Sequence, residues 1–185
     1  GRTGGAVCTS SNAGAIMRWA RQQGRRILFV PDEHLGRNVA AEVGIAEQAI
    51  QLISGGHDGA ELDLDAFSAA RRDRFDAAEL FLWGSFCGVH TVFRPEQAEY
   101  WRLRNYTVLV HPETPRETVA CADGAGSTSY LWKRVMQAPA GSRFAVGTEG
   151  HFVRNLSEQA GTRGIEVVHL ADVPGAAAQR HARPT

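Results

Sequence analysis

The feature that most constrains this chain is a series of short apolar runs, each ending in a polar turn. Arg26-Ile27-Leu28-Phe29-Val30, Glu79 to Trp83, Thr107 to Val110 and Arg143 to Val146 read as buried parallel strands, and Ile165 to Leu170 as a fifth. Between them lie helical patterns, such as Asn12 to Gln23 closed by Gly24, Pro95 to Arg104, and Ser129 to Gln137 followed by Pro139. Alternating strand and helix predicts an α/β fold with parallel sheets. The segment Gly55 to Arg74, with Gly, Asp and Arg in place of apolar periodicity, reads as a surface loop plus an exposed helix. A division near His90 gives an α/β unit over 1–90, a second over 91–170 and a tail over 171–185 that is expected to be disordered.

In open α/β sheets, ligands bind beyond the carboxyl ends of the strands, so the residues after each run carry the functional reading. They are Pro31-Asp32-Glu33-His34, Gly84-Ser85-Phe86-Cys87-Gly88-Val89-His90, His111-Pro112-Glu113 and Gly147-Thr148-Glu149. Cys87 and His90, three apart in a glycine-bearing turn, suit a thiolate metal ligand with an imidazole beside it, or equally a buried thiol and a hydrogen-bonded histidine. His111 and Glu113 form an acid/base pair around a proline, and neither type is usually buried without a partner. Asp32-Glu33-His34 reads as a turn with solvated charges, because consecutive residues rarely converge on one ion. Gly147-Thr148-Glu149 reads as a turn that caps a helix starting near His151.

Cys8-Thr9-Ser10-Ser11-Asn12 and Gly126-Ser127-Thr128-Ser129 each precede a helix. Such positions serve as N-caps, the commoner use, or hold a carboxylate or phosphate on hydroxyls and free backbone N–H groups. Two of them in one chain strengthen the case for an anionic ligand.

Composition removes several classes. Twenty basic residues balance 20 acidic ones in 185, which leaves no field to attract nucleic acid or an anionic membrane. No run approaches the roughly 20 apolar residues of a membrane span, and no targeting segment is evident, so a cytoplasmic location is expected. Three cysteines, widely spaced and odd in number, argue against a disulfide framework. A nucleotide-binding reading lacks both Gly-x-Gly-x-x-Gly and a Walker lysine.

Taken in order, Cys-Thr-Ser-Ser-Asn-Ala (8–13), Val-Pro-Asp-Glu-His-Leu-Gly-Arg-Asn (30–38), Trp-Gly-Ser-Phe-Cys-Gly-Val-His (83–90), Val-His-Pro-Glu (110–113), Gly-Ser-Thr-Ser (126–129) and Val-Gly-Thr-Glu (146–149) resemble the quinolinate synthase family. The resemblance implies Rossmann-like three-layer αβα units, here two of three pseudo-symmetric domains. It implies condensation of iminoaspartate with dihydroxyacetone phosphate to quinolinate in NAD biosynthesis. The open iron of a [4Fe-4S] cluster held by three cysteines acts there as Lewis acid. By position, Cys87 matches the middle cluster ligand. His90, His111 and Glu113 match residues facing the substrate, Glu113 for proton transfer and the histidines for carboxylate. Ser10, Asn12, Ser127 and Thr128 match groups that hold substrate carboxylate or phosphate.

The family's partner supplying iminoaspartate is an aspartate oxidase or aspartate dehydrogenase. Two family cysteines find no counterpart, since Cys8 and Cys121 fall at other positions and are expected to be buried thiols. The chain is expected to be cut at both sides, and the rival expectation is a non-catalytic remnant that binds dicarboxylate or phosphate without a cluster.

Overall fold

The computed structural model describes residues 4–24, 26–53 and 75–174, which divide into two compact units between Cys87 and Gly88. The segment 55–74, expected to be a loop and an exposed helix, and residues 175–185 of the expected tail lie outside the described residues.

In the first unit, helix α1 (Ala13–Gln23) places Ala13 and Met17 on one face, buried, and ends at Gly24. Strand β1 (Ile27–Phe29) comes next, then α2 (Glu33–Glu42), a 3-10 turn at Glu47–Ala49, β2 (Ile50–Ile53) and β3 (Leu80–Trp83). The strands form a parallel sheet in the order β1-β3-β2, with Ile27 and Ile50 both level with Leu80. Period-two alternation sends Phe29, Leu80 and Leu82 to one face, where they pack with Ala13 and Met17 of α1 and Leu35, Val39 and Ala40 of α2. Gly36 is required there: a Cβ at this position would stand 2.4 Å from Leu82 Cδ2 and 3.0 Å from Phe29 Cδ1. Strand β2 has no counterpart among the sequence expectations. Its residues are all half-buried, and Gln51 interrupts the apolar run.

The second unit runs α3 (Pro95–Arg102), β4 (Thr107–Val110), α4 (Arg116–Cys121), β5 (Gly124–Ala125), α5 (Thr128–Met136), β6 (Arg143–Gly147), α6 (Gly150–Gly161) and β7 (Glu166–His169). Its four strands are parallel, in the order β5-β4-β6-β7. Leu109, Phe144, Val146 and Val167 face a core built with Leu131 and Val135 of α5 and Val153, Leu156 and Ala160 of α6. Val108, Val110 and Ala145 face the opposite side, where Ala98 and Trp101 of α3 pack with Leu170, and Val119 of α4 lies against them. Helices therefore cover both faces, the three-layer αβα arrangement expected. Ordered packing continues past β7, because Ala171 is buried in the second of these cores and Val173 packs against it.

Two features of this unit frame its strand ends. At the amino ends, Arg143 donates to Glu166 at 2.9 Å, to the Tyr106 hydroxyl at 2.7 Å and to the Arg104 carbonyl at 2.9 Å. That clamp ties the starts of β4, β6 and β7 together. At the carboxyl ends, the chain leaves β4 toward β5 on one side and leaves β6 toward β7 on the other. The gap between β4 and β6 is thus the switch point of the sheet, where ligands of such folds bind.

Candidate active site

In the first unit, Asp32 is buried, against the expectation of a solvated charge. It is the N-cap of α2, with Oδ1 accepting from Leu35 N–H at 2.8 Å and Oδ2 accepting from Cys87 N–H at 2.9 Å. The Glu33 N–H also donates to the Ser85 carbonyl, so the turn after β3 is stitched to the start of α2. The expectation fails because Asp32 is covered by a turn that lies 55 residues away in sequence. Cys87 itself is a half-buried free thiol in this turn.

The two other cysteines differ from it. Cys8 packs against the core of the first unit, and burial pushes its thiol up. Cys121 packs against the core of the second unit. Both are half-buried, like Cys87, rather than the buried thiols expected. Among the described residues, one cysteine therefore stands in a strand-end turn, whereas a [4Fe-4S] cluster is held by several thiolates. The described residues do not by themselves complete a ligand set for that cluster.

At the first helix start, Asn12 occupies the N-cap position without capping. Its Oδ1 accepts instead from the Thr9 backbone N–H at 2.7 Å, and the Thr9 and Ser11 hydroxyls bond each other at 2.7 Å. Ser10 is half-buried in the same turn. At the other helix start, Ser127 caps α5 by accepting from Tyr130 N–H at 3.4 Å, and Thr128 is the first helical residue. Glu149 also behaves as a cap, accepting from His151 and Phe152 N–H, which lowers its carboxyl pKa.

The remaining candidates converge at the switch point of the second unit. His111 extends β4, and its N–H donates to the Gly147 carbonyl at 2.9 Å. The His90 and His111 rings stack with centroids 4.3 Å apart and 16° between planes, and both residues are buried. Glu113 Oε2 lies 3.0 Å from His90 Nδ1 and 3.8 Å from His111 Nδ1. The His90 contact is close, but it is poorly aligned for a hydrogen bond. Because a ring lone pair at that distance would repel a carboxylate, the His90 proton belongs on Nδ1. His111 Nδ1 accepts from the Glu113 backbone N–H at 3.4 Å, which places the proton of neutral His111 on Nε2.

Electrostatics sort these groups by role. Burial, then the adjacent His90, lowers the pKa of His111 to about 4, so it is neutral near pH 7. His90 holds the Glu113 carboxyl below the usual range against the opposing effect of burial, so Glu113 is ionised there. With its side chain 23% exposed against 9% for each histidine, Glu113 is the most accessible member of the cluster.

Two residues at this point were not singled out as site residues in the sequence, Thr148, read only as part of a capping turn, and His169. Thr148, which is 1% exposed, has its hydroxyl 3.2 Å from His90 Nε2, and its carbonyl lies 2.9 Å from His169 Nε2. Their signal was position alone: both stand at the carboxyl ends of apolar runs, the same criterion that selected His111.

The sequence profile of the family described as quinolinate synthetase A protein matches residues 2–176. A quinolinate synthase of Corynebacterium glutamicum is 41% identical over 166 residues, covering 86% of this chain and 39% of its own length. One of Streptomyces coelicolor is 39% identical over 178 residues, or 92% of this chain and 42% of that protein. A third, of Rhodopirellula baltica, is 38% identical over 161 residues, with 86% and 39% covered. The chain thus spans about two fifths of the length of these relatives. Because the match runs through the strand ends of both units and on past the last strand, this chain belongs to the quinolinate synthetase A family.

Proposed function

We propose that this chain carries the middle and last domains of a quinolinate synthase and contributes acid–base and anion-binding groups to the condensation of iminoaspartate with dihydroxyacetone phosphate. The observation that carries the reading is the His90–Glu113–His111 cluster at the β4/β6 switch point, in a member of this family. Glu113, ionised and the most accessible of the three, is the proton acceptor. His111, neutral with its proton on Nε2, offers a substrate carboxylate a hydrogen bond rather than a positive charge. Ser127 and Thr128, together with Ser10 and Asn12 in the other unit, are the proposed carboxylate and phosphate groups. At α1, the engagement of Asn12 with Thr9 leaves the helix start without a side-chain cap, which supports that role.

A [4Fe-4S] cluster would supply Lewis-acid chemistry, with Cys87 as one ligand. The packing of Cys8 and Cys121 against apolar cores favours a second reading, in which the chain binds dicarboxylate or phosphate without a cluster. An aspartate oxidase or aspartate dehydrogenase is the proposed source of iminoaspartate. Among the described residues no helix is long and apolar enough to cross a membrane.

Anaerobic reconstitution with iron and sulfide separates the readings, together with metal counts and an assay of quinolinate from dihydroxyacetone phosphate and iminoaspartate generated in situ. Quinolinate formation that is lost in Glu113→Gln and Cys87→Ser supports the enzyme. Absence of iron, with saturable oxaloacetate or phosphate binding, supports the second reading. Neither product nor binding overturns both.

A further inference from the structure

The junction between β5 and α5 is built on missing side chains. Only Gly126 and Ser127 separate Ala125, the end of β5, from Thr128, the first residue of α5. A Cβ on Gly126 would overlap Cδ1 and Cγ of Tyr130, and one on Gly124 would stand 2.8 Å from the Tyr130 hydroxyl oxygen. The ring therefore lies along the bare backbone of this edge strand, from Gly126 back to Gly124. Neither glycine has a positive φ, so what each provides is close approach rather than an unusual backbone conformation.

We propose that Tyr130 is a positioning residue whose ring, seated on Gly124 and Gly126, holds the first turn of α5 ready for an oxyanion. This rests on the reading of Ser127 and Thr128 as anion-binding groups. A helix start leaves N–H groups without intrahelical partners. Here the Tyr130 N–H goes to the Ser127 hydroxyl at 3.4 Å, whereas the N–H groups of Thr128 and Ser129 have no acceptor among the described residues. Because a backbone N–H can only donate, the Ser127 oxygen accepts in that contact and keeps its own proton to give to a ligand. Cap and anion ligand are then one arrangement rather than two alternatives.

The first turn of a helix frays unless something holds it. Strand β5 offers little for that purpose, being two residues paired with Leu109 and Val110 of β4. Gly126 N–H donates to the Val110 carbonyl at 3.1 Å, and Leu131 N–H donates to the Ser127 carbonyl at 2.9 Å, which fixes the backbone on either side of the turn. Tyr130 closes the space between these two anchors, its N–H engaging Ser127 and its ring covering Gly126. Leu131 and Val135 of the same helix fill the core, while Tyr130 stays 37% exposed. Its packing serves the turn rather than the interior, and Thr128 and Ser129 stand exposed beside it.

Titration of the chain with inorganic phosphate at neutral pH, followed in assigned amide spectra, tests this. In the wild type, saturable shifts are expected at the Thr128 and Ser129 N–H groups, and the Gly126 α-protons are expected upfield, under the Tyr130 ring. Tyr130→Ala is expected to weaken phosphate binding roughly tenfold, the weight of one hydrogen bond to a charged acceptor, and Tyr130→Phe to keep it. Gly124→Ala crowds the hydroxyl and is expected to weaken binding as well; adding Tyr130→Phe removes the crowded oxygen and is expected to restore it. Affinities are compared among variants that circular dichroism shows to be folded, so a purely structural loss does not move them.

Wild-type phosphate affinity in Tyr130→Ala or in Gly124→Ala, or a Gly124→Ala loss that Tyr130→Phe leaves unrepaired, overturns the proposal. If Tyr130→Ala fails to fold, the Gly124→Ala variant with and without Tyr130→Phe decides. Unchanged affinity in Tyr130→Ala, with binding lost in Ser127→Ala and Thr128→Val, refutes the positioning role alone. A ring-shifted Gly126 in a wild type whose Thr128 and Ser129 signals ignore phosphate refutes the anion subsite itself.

Discussion

Replacing Asp32 tests whether the turn bearing Cys87 is held by the start of α2. The carboxylate serves two backbone donors, Leu35 N–H through Oδ1 and Cys87 N–H through Oδ2, and it is buried. A side-chain N-cap contributes about 1 kcal/mol. A hydrogen bond to a charged acceptor contributes about 1.5–3 kcal/mol. Asp32→Ala should therefore cost about 2.5–4 kcal/mol. Asp32→Asn separates the two parts. Its carbonyl oxygen can still cap α2, but its NH₂ group then faces the Cys87 N–H, so the loss should be about 1.5–3 kcal/mol, nearly all of it from the Cys87 contact. Urea unfolding monitored by circular dichroism measures the totals, and amide hydrogen exchange at Leu35 and Cys87 assigns them. The asparagine variant should lose protection at Cys87 and keep it at Leu35. An alanine variant within about 0.5 kcal/mol of wild type, with Cys87 still protected, would refute the reasoning.

The remaining predictions concern the second unit. His111, held near 4 and returning to 6.5 on unfolding, makes the unfolded chain bind the extra proton between those values. Stability should thus fall as pH drops from 6.5 to about 4, and His111→Gln should flatten melting temperature against pH in that window; an equal slope in the variant sinks the assignment. Leu109→Ala, at a fully buried position on a central strand, should cost about 2–5 kcal/mol in urea titrations, and a smaller loss would mean the core collapses around it. Gly147→Ala puts a methyl 2.8 Å from Leu170 Cδ2 and 3.1 Å from Val110 Cγ1. It should cost about 1–3 kcal/mol in urea titrations, and a neutral effect would show that Leu170 yields freely.

How much of the fold was legible in the sequence depends on the range of the interactions involved. Strands β1, β3, β4, β6 and β7 are short apolar runs written locally, and the structure places all five where the runs lie, although β1 is not the buried strand expected, since Leu28 is 60% exposed. Helix α1 shows its buried Ala13 and Met17 at helical spacing. The two missed strands lack that local mark. β2 carries Gln51 within its run, and β5 is only Gly124–Ala125, held by pairing with β4 rather than by side chains.

The site divides in the same way. His90, His111, Glu113 and Cys87 are legible because their residue types are unusual at strand ends. The roles of Asp32 and Thr148 are not, because each depends on a partner more than 50 residues away: Cys87 for one and His90 for the other. At Ser127 a cap was the commoner expectation and an anion site the alternative, and the contact with Tyr130 N–H realises the cap.

The Arg143 clamp gives the second sheet a division of labour along its strands. A cross-strand anchor stands at the amino ends, where one guanidinium joins Tyr106, Glu166 and the Arg104 carbonyl, while the proton-handling groups occupy the opposite ends. Substitutions among the groups at the carboxyl ends leave that anchor intact. Selection can therefore retune the chemistry of this unit without loosening the frame that holds it.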